Sequence, residues 1–207
     1  MKFLLRMKAW QLFAIIMLPL VFQVLSFGAI GASLLSEDTR AQDEDLFYGI
    51  IFMGLTLIAT FLSVFFLCGW IYTVSTNLHP KLPQDHKLNL VRFKAAFLFP
   101  LIYIVVFVTL GIAAIGGSTD MFLGFLIIFP IHILAMVCGF YTIYFTARSL
   151  KSVELQRRAG VNDYLGDFFL IWFYFIGVWV IQPRVNSIFA DSFRESEYGG
   201  SKDRYLK

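Results

Sequence analysis

Apolar positions fall in four long runs separated by short polar segments: residues 10–35, 46–75, 95–117 and 121–147. Each exceeds the roughly 20 apolar residues that a helix needs to cross a hydrocarbon core about 30 Å thick. Their wettest interruptions are single residues, among them Gln23, Thr56, Thr60 and His132, and no run carries an Asp, Glu, Lys or Arg. Stretches such as Phe65-Phe66-Leu67 and 102–108 are apolar on every side. A membrane barrel strand would instead alternate apolar and polar residues with period two. The third run is rich in β-branched residues, but a lone strand in lipid leaves its backbone unsatisfied, so the pattern predicts helices throughout. The predicted fold is an all-α integral membrane protein, a bundle of four transmembrane helices.

Composition agrees. Of 207 residues, 58% are hydrophobic and 15% charged, with 24 Phe. A soluble domain carries about 25% charged residues, so a soluble globule of this size could not cover its apolar surface. Disordered chains are poor in aromatics, which excludes that class too. Two Cys rule out a disulfide framework. The formal charge of +3 is too small to imply a nucleic-acid partner, and none is expected.

The position of the charges says more than their sum. Lys2, Arg6 and Lys8 precede the first run. That run is longer than the roughly 7–15-residue core of a signal peptide, which predicts an uncleaved first span; Gly28, Ala29, Gly31 and Ala32 are the small residues that the cleaved alternative would use. The first loop is acidic (Glu37, Asp38, Asp43, Glu44, Asp45), the second basic (Lys81, Lys87, Arg92, Lys94), and the third a short Ser118-Thr119-Asp120 turn. Arg148, Lys151, Arg157 and Arg158 follow the fourth run. Lys and Arg thus gather on alternate sides, which predicts a cytoplasmic N-terminus.

The four helices also read as two tandem hairpins. Cys68-Gly69-Trp70 and Cys138-Gly139-Phe140 are 70 apart, as are Gly54 and Gly124, and Thr76 and Thr146; Pro19-Leu20 matches Pro100-Leu101 at an offset of 81. A parallel duplication explains both offsets if the first outer loop is longer; chance similarity between Phe-rich segments is the alternative. Pro19, Pro100 and Pro130 should bend their helices. Gly28, Ala32, Gly69, Gly111, Ala114 and Gly139 are expected to let helices approach closely. Cys68 and Cys138 read as small packing residues rather than a reactive pair.

A fifth apolar segment, 168–181, is only 14 residues long. As a helix it rises about 21 Å, short of the core. Its Trp172, Tyr174 and Trp179 suit the headgroup boundary. Arg157 and Arg158 before it and Arg184 after it favour a re-entrant or interfacial helix, breaking at Gly177, over a short fifth span with the tail outside. Pro183 fits the first turn of a new helix, and Ile188, Phe189 and Phe193 give that helix an apolar face. The expected organisation is a four-span bundle (1–147), a basic helix with the re-entrant or interfacial segment (148–193), and a disordered tail (194–207).

Ser152-Val153-Glu154-Leu155-Gln156, Asp163-Tyr164-Leu165-Gly166-Asp167, Phe169-Leu170-Ile171-Trp172-Phe173 and Ile181-Gln182-Pro183-Arg184 resemble the C-terminal part of an uncharacterised family of small multi-span bacterial membrane proteins. The resemblance covers 151–186. It implies a bacterial inner-membrane setting and carries no activity, cofactor or site residue.

Candidate chemistry is sparse. There is no Walker loop, HExxH, GxSxG or CxxC. His79, Asp85 and His86 share one loop without a recognised ligand spacing and read as solvated. His132 lies mid-span, two residues after Pro130, where an ionisable group is costly and often functional; Gln23 poses the same question. Arg157, Arg158, Asp163, Asp167 and Arg184 form the candidate functional surface, for a partner or a lipid headgroup. No catalytic residue, metal or cofactor is assigned. The expected role is a structural, accessory or scaffold component that binds a partner protein or lipid, with homo-oligomers allowed. A small transporter or oligomeric channel is the alternative. A membrane-embedded enzyme acting on a lipid, using His79, Asp85, His86, Asp163 and Asp167, is a third.

Overall fold

The computed structural model describes residues 3–34, 42–83, 88–115 and 121–202, with side chains for 3–28, 31, 51–52, 54–83, 88–111, 126 and 128–190. Among the described residues the chain is helical without strands: α1 (Phe3–Arg6), α2 (Ala9–Leu34), α3 (Gln42–Leu78), a 3-10 turn at His79–Lys81, α4 (Leu90–Ile115), α5 (Met121–Leu155), α6 (Val161–Trp172) and α7 (Tyr174–Lys202). Four helices are long and apolar enough to cross a membrane, over Ala9–Gly28, Gly54–Lys81, Leu90–Gly111 and Ile128–Leu155. These are the four predicted runs. The Ser118-Thr119-Asp120 turn, the first acidic loop and Ala32 and Ala114 lie outside what is described, or have undescribed side chains.

The helix boundaries have local causes. At the start of α2, the Lys8 backbone N–H donates to Gln11 Oε1 at 2.9 Å, the half of a capping box that satisfies the orphan donor. Asn89 caps α4: its Oδ1 accepts from Val91 N and Arg92 N, both at 3.0 Å. α5 continues well past 147 to Leu155, and stops at Gln156, which takes φ 49°, the left-handed conformation that closes many helices. α6 opens on Gly160, whose N–H reaches Asp163 Oδ2 at 2.9 Å.

The chain divides into two compact units. One holds 1–73 and 173–207, the other 74–172. In the first, α7 packs on α2 and α1. Phe13 meets Trp179, with ring centroids 5.4 Å apart, while Leu4 and Met7 meet Gln182. α7 therefore runs antiparallel to α2, and its numbering rises toward the basic N-terminal end. The core there includes Leu4, Leu5, Leu12, Ile16, Trp70, Ile181 and Val185. Ser63 Oγ donates to Ile16 O at 3.0 Å and ties α3 to α2.

In the second unit, α5 packs on α4 and α6. Phe93 stacks on Phe145, centroids 4.5 Å apart, so the start of α4 is level with the last turns of α5. Tyr144 meets Tyr164 at 5.4 Å, and Phe140 stacks on Trp172 at 4.4 Å with planes 4° apart. α6 is thus antiparallel to α5 and runs from its basic end back alongside the apolar span. The far halves of α4 and α5 stay exposed at Val105, Leu110, Leu134 and Val137. Such a surface would be an aggregation liability in water and is the normal face of a helix in lipid.

Three expectations are corrected. The break in the fifth apolar segment falls at Phe173, between α6 and α7, and not at Gly177, which is helical. Pro183 lies inside α7 and starts no new helix. α7 runs to Lys202, past residue 194 where the ordered chain was expected to end. A fourth concerns packing. A Cβ at Gly28, Gly111 or Gly139 would meet nothing within 4 Å, so these glycines bring no described helices together. The hairpin symmetry is visible in the first helices of each pair: α2 and α4 both span 26 residues, and each carries its proline ten residues after the first. It is looser in the second helices, where Trp70 is buried and Phe140 exposed.

Candidate functional site

The predicted surface is partly assembled. Arg157 Nη1 lies 3.0 Å from Asp163 Oδ2. The Gly160 N–H and then the Arg157 guanidinium hold the Asp163 carboxyl below its ordinary range. This acid at the third position of α6 also faces the positive end of the helix dipole. Arg158 is exposed beside them, and its carbonyl accepts from Arg157. Asp167, one turn on, is buried. Arg184 is half-buried on α7 in the other unit.

More basic groups join this edge than the sequence assembled. The Phe93–Phe145 stack brings Arg92 and Lys94, both exposed, to the end of α5 that carries Arg148. Arg148 is held by tyrosines: it donates to Tyr144 Oη, and its guanidinium carbon lies 5.7 and 6.0 Å from the Tyr144 and Tyr164 ring centres. Its Nε is buried without a partner among the described residues, as is Ser149 Oγ. Lys151 pairs with Glu154 at 3.3 Å. Two ion pairs therefore neutralise Arg157 and Lys151, while Arg92, Lys94, Arg148 and Arg158 have no carboxylate partner among the described residues.

His79 has a structural task. Its Nε2 lies 2.8 Å from Leu88 O and spans the loop that contains Asp85 and His86; those two fall outside the described residues. Among the described residues no three His, Cys, Asp or Glu side chains gather closely enough to hold a metal ion. His132 is exposed, and its Nδ1 lies 3.0 Å from Tyr103 Oη. Gln23 is half-buried and makes no hydrogen bond among the described residues.

The densest polar cluster was not singled out from the sequence. Gln182 is fully buried; its Oε1 accepts from Trp70 Nε1 at 2.7 Å. Its amide nitrogen is shared among Leu4 O, Met7 O and Asn186 Oδ1 at 3.0–3.1 Å. Asn186 Nδ2 also donates to Met7 O at 3.0 Å. A polar residue amid Ile181 and Val185 was the available signal. The cluster locks the N-terminal turn to α7.

Fold and charges together define an all-α membrane protein with four helices able to span a bilayer. No protein-family model, curated protein or solved structure matches the chain, so the resemblance over 151–186 rests on the residues quoted for it.

Proposed function

We propose that this is a structural or accessory protein of the bacterial inner membrane, with its N-terminus in the cytoplasm, that grips the anionic lipid of the cytoplasmic leaflet. The observation that carries the reading is the basic edge of the second unit, where Arg92, Lys94, Arg148 and Arg158 all lie toward one end of the α4–α5 pair without carboxylate partners among the described residues. A basic group at the membrane surface gains about 1 kcal/mol from an anionic leaflet. Four at one edge make a useful grip.

The α6–α7 segment supports the same reading. Trp172 lies against Phe140, 15 residues before the end of α5. α7 then brings Gln182 to the level of Leu4 and Met7. From Tyr174 to Gln182 a helix rises about 12 Å, less than half of the hydrocarbon core. In one unit α6 leaves the basic end of α5, and in the other α7 runs toward the basic N-terminal turn, the pattern that a re-entrant segment would have. Phe169 on α6 and Phe175 and Trp179 on α7 are exposed and suit the acyl chains just below the headgroups.

The test is lipid co-purification. The protein is reconstituted in vesicles of mixed zwitterionic and anionic lipid, extracted, and its retained lipid measured by mass spectrometry. Anionic lipid should be enriched, and the triple variant R92Q/K94Q/R158Q should lose most of that enrichment. Equal retention of both lipid classes by the parent protein would contradict the proposal.

A further inference from the structure

Tyr103 lies halfway along α4, and His132 faces it from α5, far from the basic edge. Tyr103 Oη and His132 Nδ1 are 3.0 Å apart, with ring centres at 5.6 Å. The imidazole is exposed on the outside of the α4–α5 pair, and Tyr103 is half-buried. This is the stretch where the neighbouring side chains are the apolar Phe107, Leu110 and Met136, all exposed.

The hydrogen bonds of this pair do not balance among the described residues. A neutral imidazole has one N–H donor and one acceptor nitrogen, and a phenol has one O–H donor and an acceptor oxygen. The single bond between them uses one donor. If Tyr103 donates, Nε2–H points outward; if Nδ1–H donates, the phenol O–H is free and Nε2 is a bare acceptor. In either tautomer the pair is left with one donor and one acceptor, neither matched among the described residues. Hydrocarbon offers no partner, and an unmatched polar group there costs several kcal/mol.

We propose that this face is the contact between two copies of the chain in the bilayer. A surface that carries one spare donor beside one spare acceptor is its own complement. A two-fold axis brings the donor of each copy to the acceptor of the other, which is the self-complementary pattern that a two-fold dimer requires. The backbone allows the approach. Gly139 lies two turns beyond His132 on the same face of α5, and Gly111 two turns beyond Tyr103 on α4; neither has any neighbour within 4 Å of a Cβ built on it. Small residues of this kind let membrane helices meet closely, and polar side chains then bond across. The glycines have no partner helix within the described chain, and a second copy supplies one.

The experiment is energy transfer between donor- and acceptor-labelled full-length protein in zwitterionic lipid vesicles, titrated over protein-to-lipid ratio. Zwitterionic lipid keeps it independent of the basic edge. The parent protein should dimerise. His132→Phe and Tyr103→Phe should each weaken the dimer about tenfold, since interhelical polar bonds in membranes are individually modest. Gly139→Leu fills space that is open in the single chain, so it should abolish the dimer while the thermal unfolding of the protein in detergent stays unchanged. A parent protein that is monomeric at every ratio would overturn the proposal. So would H132F and Y103F variants that dimerise like the parent, even if G139L does not, because the polar pair would then play no part.

Discussion

Gln182 shows how much one side chain can organise in a chain with few polar residues. Its carboxamide satisfies the Trp70 indole and two backbone carbonyls of the N-terminal turn, groups that α-helical bonding leaves orphaned. Gln182→Leu would leave the Trp70 indole and the Leu4 carbonyl buried and unmatched, while Met7 O keeps the bond from Asn186. It should cost about 1–3 kcal/mol, the usual penalty for stranding a buried polar group, and lower the unfolding midpoint measured in detergent. Gln23→Leu is the contrast: Gln23 makes no hydrogen bond among the described residues, so its removal should leave that midpoint unchanged or raised. An unchanged midpoint for Gln182→Leu would show that the cluster is not holding the N-terminus. The sequence showed Gln182 as a polar residue next to a proline and so as a helix start. Its partners lie 112 and 178 residues away, a separation that no local pattern encodes. Arg157 and Asp163 were legible for the opposite reason: they sit six residues apart across one helix start.

At the level of elements, run length decided the four spans correctly, because a lipid core sets a minimum length that few other structures meet. The shorter α6–α7 segment was harder. Its breaker signals, Gly177 and Pro183, both lie within α7, where a membrane helix tolerates them. The actual break at Phe173 falls between aromatic residues, with no turn former. The stacking of Trp172 on Phe140 at 4.4 Å is the contact that holds the end of α6 against α5. A double-mutant cycle over Phe140→Ala and Trp172→Ala should therefore show a coupling of about 1 kcal/mol in unfolding free energy, typical of an aromatic pair. Additive losses would mean that α6 is held by its other contacts alone.

For the whole molecule, burial and charge describe the same polarity within each unit. Buried side chains concentrate near the basic ends, around Leu4, Leu12 and Trp70 in one unit and around Phe93, Phe145 and Leu150 in the other. The halves of α4 and α5 away from those ends carry exposed apolar side chains such as Val105 and Val137. The alternation of acidic and basic loops predicts which side of a membrane the basic ends face, since Lys and Arg resist translocation. It could not say whether the last segment turns back, because a fifth span and a dip share the same basic flanks on one side. Within the units, α6 pairs antiparallel with α5 and α7 with α2.

Impermeant maleimide labelling reads this directly. Single cysteines are placed by Asp38→Cys, Arg158→Cys, Phe173→Cys and Ser187→Cys in a background with Cys68→Ala and Cys138→Ala, in right-side-out and inverted membrane vesicles. Positions 158 and 187 should label from the same face, opposite to position 38, and position 173 from neither. Labelling of position 187 from the face of position 38 would make the segment a fifth span and contradict the account.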